Sequence, residues 1–221
     1  MKISSDLIWR IISALVLIPL VFGFIYHGGL IYHGSVICCF LIVSYEWIRM
    51  SLQAPQHKMI LGTAGVLYFL VCLWAFIHLR FDVPQGTELV VFVVTAIWVS
   101  DIAGYVAGKT LKGPKIVPKI SPNKTWSGFI AAIILPALYF MLFAELVGLN
   151  LNMLTYAFSL TIGFWGQIGD FTVSMMKRYV GVKDTGTIIP GHGGLLDRID
   201  ALIFIMPIFT VGLLVLKSVS L

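Results

Sequence analysis

The chain has 221 residues, of which 59% are hydrophobic and only 11% charged, and it carries a net charge of +5. Soluble domains carry about 25% charged residues, so the composition excludes a water-soluble globule of this size. A bilayer is the solvent that fits, and the positive charge then reads as a topology signal; no nucleic-acid partner is expected.

Seven apolar segments run along the chain, at about 9–26, 30–48, 59–79, 88–108, 126–148, 151–176 and 199–217. Each is long enough to cross roughly 30 Å of hydrocarbon as a helix. The shorter alternating segments of a barrel are absent from the sequence. The expected class is an all-α polytopic membrane protein with about seven transmembrane helices. Residues 1–90 would form an N-terminal region of about three helices. Residues 91–221 would form a catalytic region with two polar loops, 109–124 and 177–198.

Lys2 and Arg10 flank the first segment, and no small-x-small cleavage pattern follows it, so a retained anchor is expected. Cys38, Cys39 and Cys72 lie in apolar runs without a CxxC or Cys/His spacing, and read as small core residues. With the N-terminus in the cytoplasm, all of the fifteen Lys and Arg residues except Arg80 and Lys217 fall on the cytoplasmic side. Basic loops stay inside, so both polar loops are expected to face the cytoplasm, and the chemistry with them.

The fourth segment ends in "IWVSDIAGYVAGK", which places Asp101 in a helix near that face. The "GKT" at 108–110 is not a P-loop, lacking its upstream glycine frame and a preceding strand. "SPNKTWSG" follows, with Ser121 and Asn123 as cap-type residues and Lys124 and Thr125 opening the fifth segment, a helix start suited to an anion. The sixth segment carries Asp170 in "FWGQIGDFTVSMMKR", with Ser174 and Lys177 on the same face and Arg178 beside them. An acid in such a segment costs about 2.5–3.5 kcal/mol at the bilayer centre, which points to function. "DRID" opens the seventh, and its spacing puts Asp197 and Asp200 on one helix face. Paired carboxylates repel unless a cation lies between them, and an oxygen-only set suits Mg²⁺, which takes substrate phosphates as further ligands. Asp170 is placed to reach the same ion. Lys177 and Arg178 suit phosphate, and the "PGHGG" stretch lets backbone approach a ligand. His192 reads equally as a phosphate donor, a proton carrier or a loop residue. Together these residues describe a site at which a phosphorylated polar substrate meets a lipid.

The stretch "SMMKRYVGVKDTGTIIPGHGGLLDRID", Ser174 to Asp200, resembles the signature of the phosphatidate cytidylyltransferases, or CDP-diacylglycerol synthases. Ser174, Lys177, Arg178, Lys183, Asp184, His192, Gly193, Gly194, Asp197, Arg198 and Asp200 occupy its positions. "SDIAGYVAGKTLKG" and "KISPNKTWSG" resemble two further blocks, so the likeness covers roughly residues 95–205. Ile102 and Ser127 depart from the family pattern. The resemblance implies an integral protein of the inner (cytoplasmic) membrane that condenses CTP with phosphatidic acid, giving CDP-diacylglycerol and pyrophosphate with a divalent cation. Membrane lipids would surround it, and a homodimer is compatible with it. On this reading Asp170, Asp197 and Asp200 hold Mg²⁺, while Lys177 and Arg178 neutralise phosphates. Ser121, Asn123, Lys124 and Thr125 bind nucleotide or lipid phosphate. Two competing readings are another CTP-using lipid enzyme, such as a polyisoprenol kinase, and a cation-coupled transporter. Transporters place their acids near the midplane, whereas here the acids gather at one face among phosphate binders.

Overall fold

The computed structural model describes residues 5–118, 120–149, 151–189 and 193–219. They form eight α-helices: α1 Ser5–His27, α2 Gly29–Ser51, α3 Lys58–Phe81, α4 Gly86–Thr110, α5 Trp126–Val147, α6 Met153–Ser159, α7 Ile162–Tyr179 and α8 Leu196–Val219. Among the described residues the extended pairings are two isolated antiparallel bridges, Lys115 with Thr125 and Ile189 with Gly193. The all-α expectation holds. Five helices are long and apolar enough to span a bilayer: α2, α3, α4, α5 and the Leu196–Leu216 part of α8. In α1, Leu15–His27 forms a shorter apolar helix.

The single helix expected over 151–176 is instead two. Asn152 caps α6 by accepting the Thr155 N–H at 2.8 Å. At the other end Thr161 turns its hydroxyl onto the Phe158 carbonyl at 2.7 Å, and α7 starts afresh at Ile162. Hydroxyl side chains that bond to nearby carbonyls compete with helix continuation, and here they break an otherwise apolar run. The cysteines are also corrected in part, since Cys72 is buried but Cys38 is exposed.

The chain forms two compact units. The first comprises Met1–Ile77 and Met176–Ile199. Within it α2 and α3 are joined by the Tyr32 hydroxyl, which donates to the Phe76 carbonyl at 3.0 Å. The Trp47 indole N–H donates to Leu61 O at 2.9 Å, and Phe40 packs on Phe76 with ring centroids 5.6 Å apart. Met50 and Ala54 cluster with Val180, which draws the segment after α7 onto the end of α2.

The second unit comprises His78–Met175 and Asp200–Leu221. Here α4 and α5 pack closely enough that a Cβ on Gly128 would lie 2.6 Å from the Gly104 carbonyl oxygen. Only glycine permits that approach. The Ser100 hydroxyl donates to Ala132 O at 2.8 Å, adding a polar tie between the two helices. Phe92, Phe140 and Phe209 bring α4, α5 and α8 together, with centroids 4.7 and 6.0 Å from Phe92. Next to Asp170, Gly169 sets the approach of α7 to α8. A Cβ there would lie 3.1 Å from both the Ala201 Cα and the Asp200 carbonyl oxygen.

Candidate functional site

A cavity of about 200 Å³ opens in the second unit, between the cytoplasm-facing ends expected for α4, α5 and α7. Asp101, Asn123, Lys124, Thr125 and Asp170, all singled out from the sequence, line it. Ser100, Tyr105, Phe129 and Gln167 line it too, and sequence reasoning missed these four.

The loop between α4 and α5 delivers Lys124. Its two arms run antiparallel, with Ile116 N–H donating to Lys124 O at 3.2 Å and Trp126 N–H to Pro114 O at 3.1 Å. The Thr125 hydroxyl then caps α5 by accepting from Gly128 N–H at 3.2 Å. Thr125 is thus the cap, where Ser121 and Asn123 were expected to be. Ser121 lies outside the cavity lining and builds the turn before it, through its N–H to Val117 O at 2.9 Å. Ser127 ties the same loop down by donating to Lys112 O.

Lys124 reaches into the cavity and forms an ion pair with Asp170. Its ammonium also donates to Gln167 Oε1 at 3.1 Å and lies 4.2 Å from the centre of the Phe171 ring. The buried Gln167 amide continues the chain, donating from Nε2 to Ser100 Oγ at 3.2 Å. Ser174 donates to the other oxygen of Asp170 at 3.3 Å. One lysine therefore meets a carboxylate, an amide oxygen and an aromatic face. Each favours the ammonium at a fixed position.

The first unit holds a second polar set. Lys177 donates to Asp197 Oδ1 at 2.8 Å, with side chains 12% and 4% exposed. Asp197 Oδ2 accepts from Thr185 N–H at 2.8 Å, Thr185 Oγ1 at 3.0 Å and Gly194 N–H at 3.1 Å. Gly194 is therefore bonded to a carboxylate of its own chain, and the Gly193 carbonyl accepts from Ile189 N–H at 2.9 Å. Glu46, on α2, enters this set unforeseen. It is 1% exposed and accepts from Leu195 N–H at 3.0 Å and Leu196 N–H at 2.8 Å. Arg178, Lys183, Asp184 and Arg198 are exposed, with Arg178 donating to Val182 O at 3.2 Å. His192 lies outside the described residues.

The carboxylates differ in their readiness for a cation. Among the described residues no three His, Cys, Asp or Glu side chains form a group able to hold a metal ion. Asp197 has both oxygens committed, to four donors. Asp170 also has both oxygens engaged, by Lys124 and Ser174, but it lines the open cavity, and the partly buried Asp200 has one oxygen on the Ala201 N–H at 2.7 Å. Hard oxygen donors of this kind suit Mg²⁺, with water and phosphate completing its octahedron.

Sequence comparisons identify the family of the chain. The profile of the "Cytidylyltransferase family" matches residues 52–216. A protein of Brucella suis biovar 1 called phosphatidate cytidylyltransferase is 34% identical over 196 residues, 88% of this chain and 67% of its own length. One of Rickettsia bellii with the same name is 32% identical over 215 residues, covering 94% of this chain and 90% of the relative. Another, of Bacillus subtilis, is 38% identical over 148 residues, 66% and 54% of the two chains. The cavity on α4, α5 and α7 and the segment from Lys177 to Asp200 both fall inside the matched region, and the chain belongs to the cytidylyltransferase family, among the phosphatidate cytidylyltransferases.

Proposed function

We propose that this protein condenses CTP with phosphatidate at the cytoplasmic face of the inner membrane, giving CDP-diacylglycerol and pyrophosphate. The observation that carries the proposal is the Lys124–Asp170 pair in a cavity cut into apolar helices, steadied by Gln167 and Ser100. In this reaction a phosphate oxygen of phosphatidate forms a bond to the α-phosphorus of CTP, and the bond from that phosphorus to the pyrophosphate oxygen breaks. A phosphate monoester is already largely ionised at neutral pH, so its oxygen needs little help from a base. The harder task is to hold two anions in line, which positioned cations accomplish.

Lys124 and Lys177 are the cations for that task. In the free protein each is balanced by a carboxylate, Asp170 and Asp197, so neither bears an uncompensated charge among apolar helices. Phosphate competes with the carboxylate for the ammonium. Gln167 limits where Lys124 moves while it does so. Asp170 and Asp200 are the proposed holders of Mg²⁺, which when bound neutralises triphosphate charge and orients it. Asp197, expected as a third ligand, joins that set only by giving up Lys177 or a backbone donor. Asp101, Asn123 and Thr125 would shape the phosphate-binding wall of the cavity. The proposed topology keeps seven crossings, with α6 and α7 sharing one broken crossing. The N-terminus and both polar loops are then cytoplasmic.

The test is purified protein with phosphatidate vesicles, Mg²⁺ and CTP labelled, in parallel assays, at the α- or the γ-phosphate. Label in the lipid extract with release of pyrophosphate supports the proposal. Transfer from the γ-position with release of CDP would assign the site to a lipid kinase. No transfer from either position would remove the enzymatic reading.

A further inference from the structure

A carboxylate buried to 1% exposure in a membrane helix calls for an explanation, and Glu46 has one within its own unit. Its Oε1 accepts the Leu195 N–H at 3.0 Å, and its Oε2 accepts the Leu196 N–H at 2.8 Å. Those amides begin α8, where a helix leaves donors without internal partners and its dipole favours negative charge. Glu46 thus caps α8 from α2, across 149 and 150 residues of sequence. The Thr185 hydroxyl lies 3.4 Å from Glu46 Oε2 and 3.0 Å from Asp197 Oδ2. Two carboxylates, one on α2 and one on α8, therefore grip the same two pieces of loop, Thr185 and residues 194–196.

The glycines of the signature fit this grip. A Cβ on Gly186 would lie 2.7 Å from Glu46 Oε1, and one on Gly194 would lie 2.8 Å from both Glu46 oxygens and closer still to the Thr185 hydroxyl. Neither position has room for a side chain while Glu46 is in place. These glycines admit the protein's own carboxylate, and the amides of residues 194–196 are spent on Asp197 and Glu46, not offered to a phosphate.

We propose that Glu46 is a positioning residue for the cytidylyl transfer. It fixes the loop between α7 and α8 so that Lys177 and Asp197 stand in the geometry the reaction needs. The proposal rests on the function proposed above, and the parent chain assayed in parallel separates the two.

The experiment uses the full chain in detergent or vesicles with four variants: Glu46→Gln, Glu46→Ala, Gly186→Ala and Glu46→Ala with Gly186→Ala. Thermal unfolding sets an assay temperature at which every variant is folded. Hydrogen exchange of peptides covering 185–197 reads the loop directly, without activity. In Glu46→Ala the amides of Leu195 and Leu196 should exchange faster, and kcat should fall on the order of 10- to 100-fold, the scale expected from a small misplacement of catalytic groups. Glu46→Gln keeps one acceptor oxygen and should recover part of both losses. Gly186→Ala, where the three atoms nearest the new Cβ all belong to Glu46, should give the same defects alone, and the double variant should be little worse than either, because both act on one contact. An active parent beside a folded Glu46→Ala protein with parental exchange and parental kcat would overturn the proposal, as would additive losses in the double variant. If Glu46→Ala does not fold, Glu46→Gln and Gly186→Ala decide by the same readouts. An inactive parent would sink the functional reading, while altered exchange would still report on the grip.

Discussion

At the scale of single residues the two lysine–carboxylate pairs look alike in sequence but differ in burial. Lys124 and Asp170 are each about a quarter exposed, whereas Lys177 and Asp197 are nearly closed off from solvent. Breaking a buried pair costs about 3–5 kcal/mol, because a charge is left stranded. Asp197→Ala should therefore lower the unfolding temperature in detergent together with activity, since four donors lose their acceptor. Asp170→Asn should leave unfolding nearly unchanged and reduce the rate by on the order of 10² to 10⁴. Equal stability losses in both would mean that Asp170 is structural. In the same way Lys124→Ala should abolish most transfer while Lys112→Ala stays near parental turnover, because Lys124 reaches the cavity and Lys112 is an exposed loop residue. Asp170 and Lys124 were legible in the sequence as ionisable groups at the ends of apolar runs. Gln167 and Ser100 were not, because neutral polar side chains are tolerated in helices and carry no such signal. Glu46 does carry it, as an acid inside the second segment.

Among the helices, hydropathy located α2, α3, α4, α5 and α8 to within a few residues, since a twenty-residue apolar run has little else to become. It failed at the break between α6 and α7, where the decisive bonds are local ones from Asn152 and Thr161 that an average over a window hides. Nor did it reveal that the loop between α4 and α5 folds back as paired arms, which is what brings Lys124 into the cavity. The contact between α4 and α5 at Gly104 and Gly128 gives an element-scale prediction. A valine at Gly128 would drive its Cβ toward the Gly104 carbonyl and part the helices beneath the cavity. Gly128→Val should destabilise by about 1–3 kcal/mol or more, the usual range for overpacking, and should lower transfer at temperatures where the protein remains folded. Ser127→Ala, one residue earlier, removes the bond to Lys112 O and should loosen the loop with a smaller effect on unfolding. A Gly128→Val protein that unfolds and turns over like the parent would show that α4 and α5 do not need this approach.

For the whole molecule, the grouping of residues does not follow chain order. The segment Met176–Ile199, which carries most of the signature, belongs with Met1–Ile77 and not with the α4–α5 pair, so the N-terminal helices pack with the signature segment. Glu46, bonded to the Leu195 and Leu196 N–H groups, and Met50 and Ala54, clustered with Val180, make that packing. Orientation follows from charge. If the N-terminus is cytoplasmic, an even number of crossings precedes the 109–124 loop and the 177–198 loop, and both carry clusters of Lys and Arg. The connections after α1, α3 and α5 are short and free of Lys and Arg, with Arg80 standing just inside the end of α3. Turning the protein over would carry the basic clusters across the bilayer, against the bias that keeps such loops inside. It would also place Lys124 and Lys177 on the side away from cytoplasmic CTP. Cytoplasmic and external reporters inserted at Gly113 and fused after Leu221 should therefore read opposite sides, inside for the loop and outside for the C-terminus. This outcome requires that α6 and α7 together make one crossing. A C-terminal reporter that reads inside, with the loop at Gly113 also inside, would mean that α7 does not cross. The 177–198 loop would then lie outside, α7 with Gln167 and Asp170 would dip into the outer leaflet, and the count of crossings would fall to six.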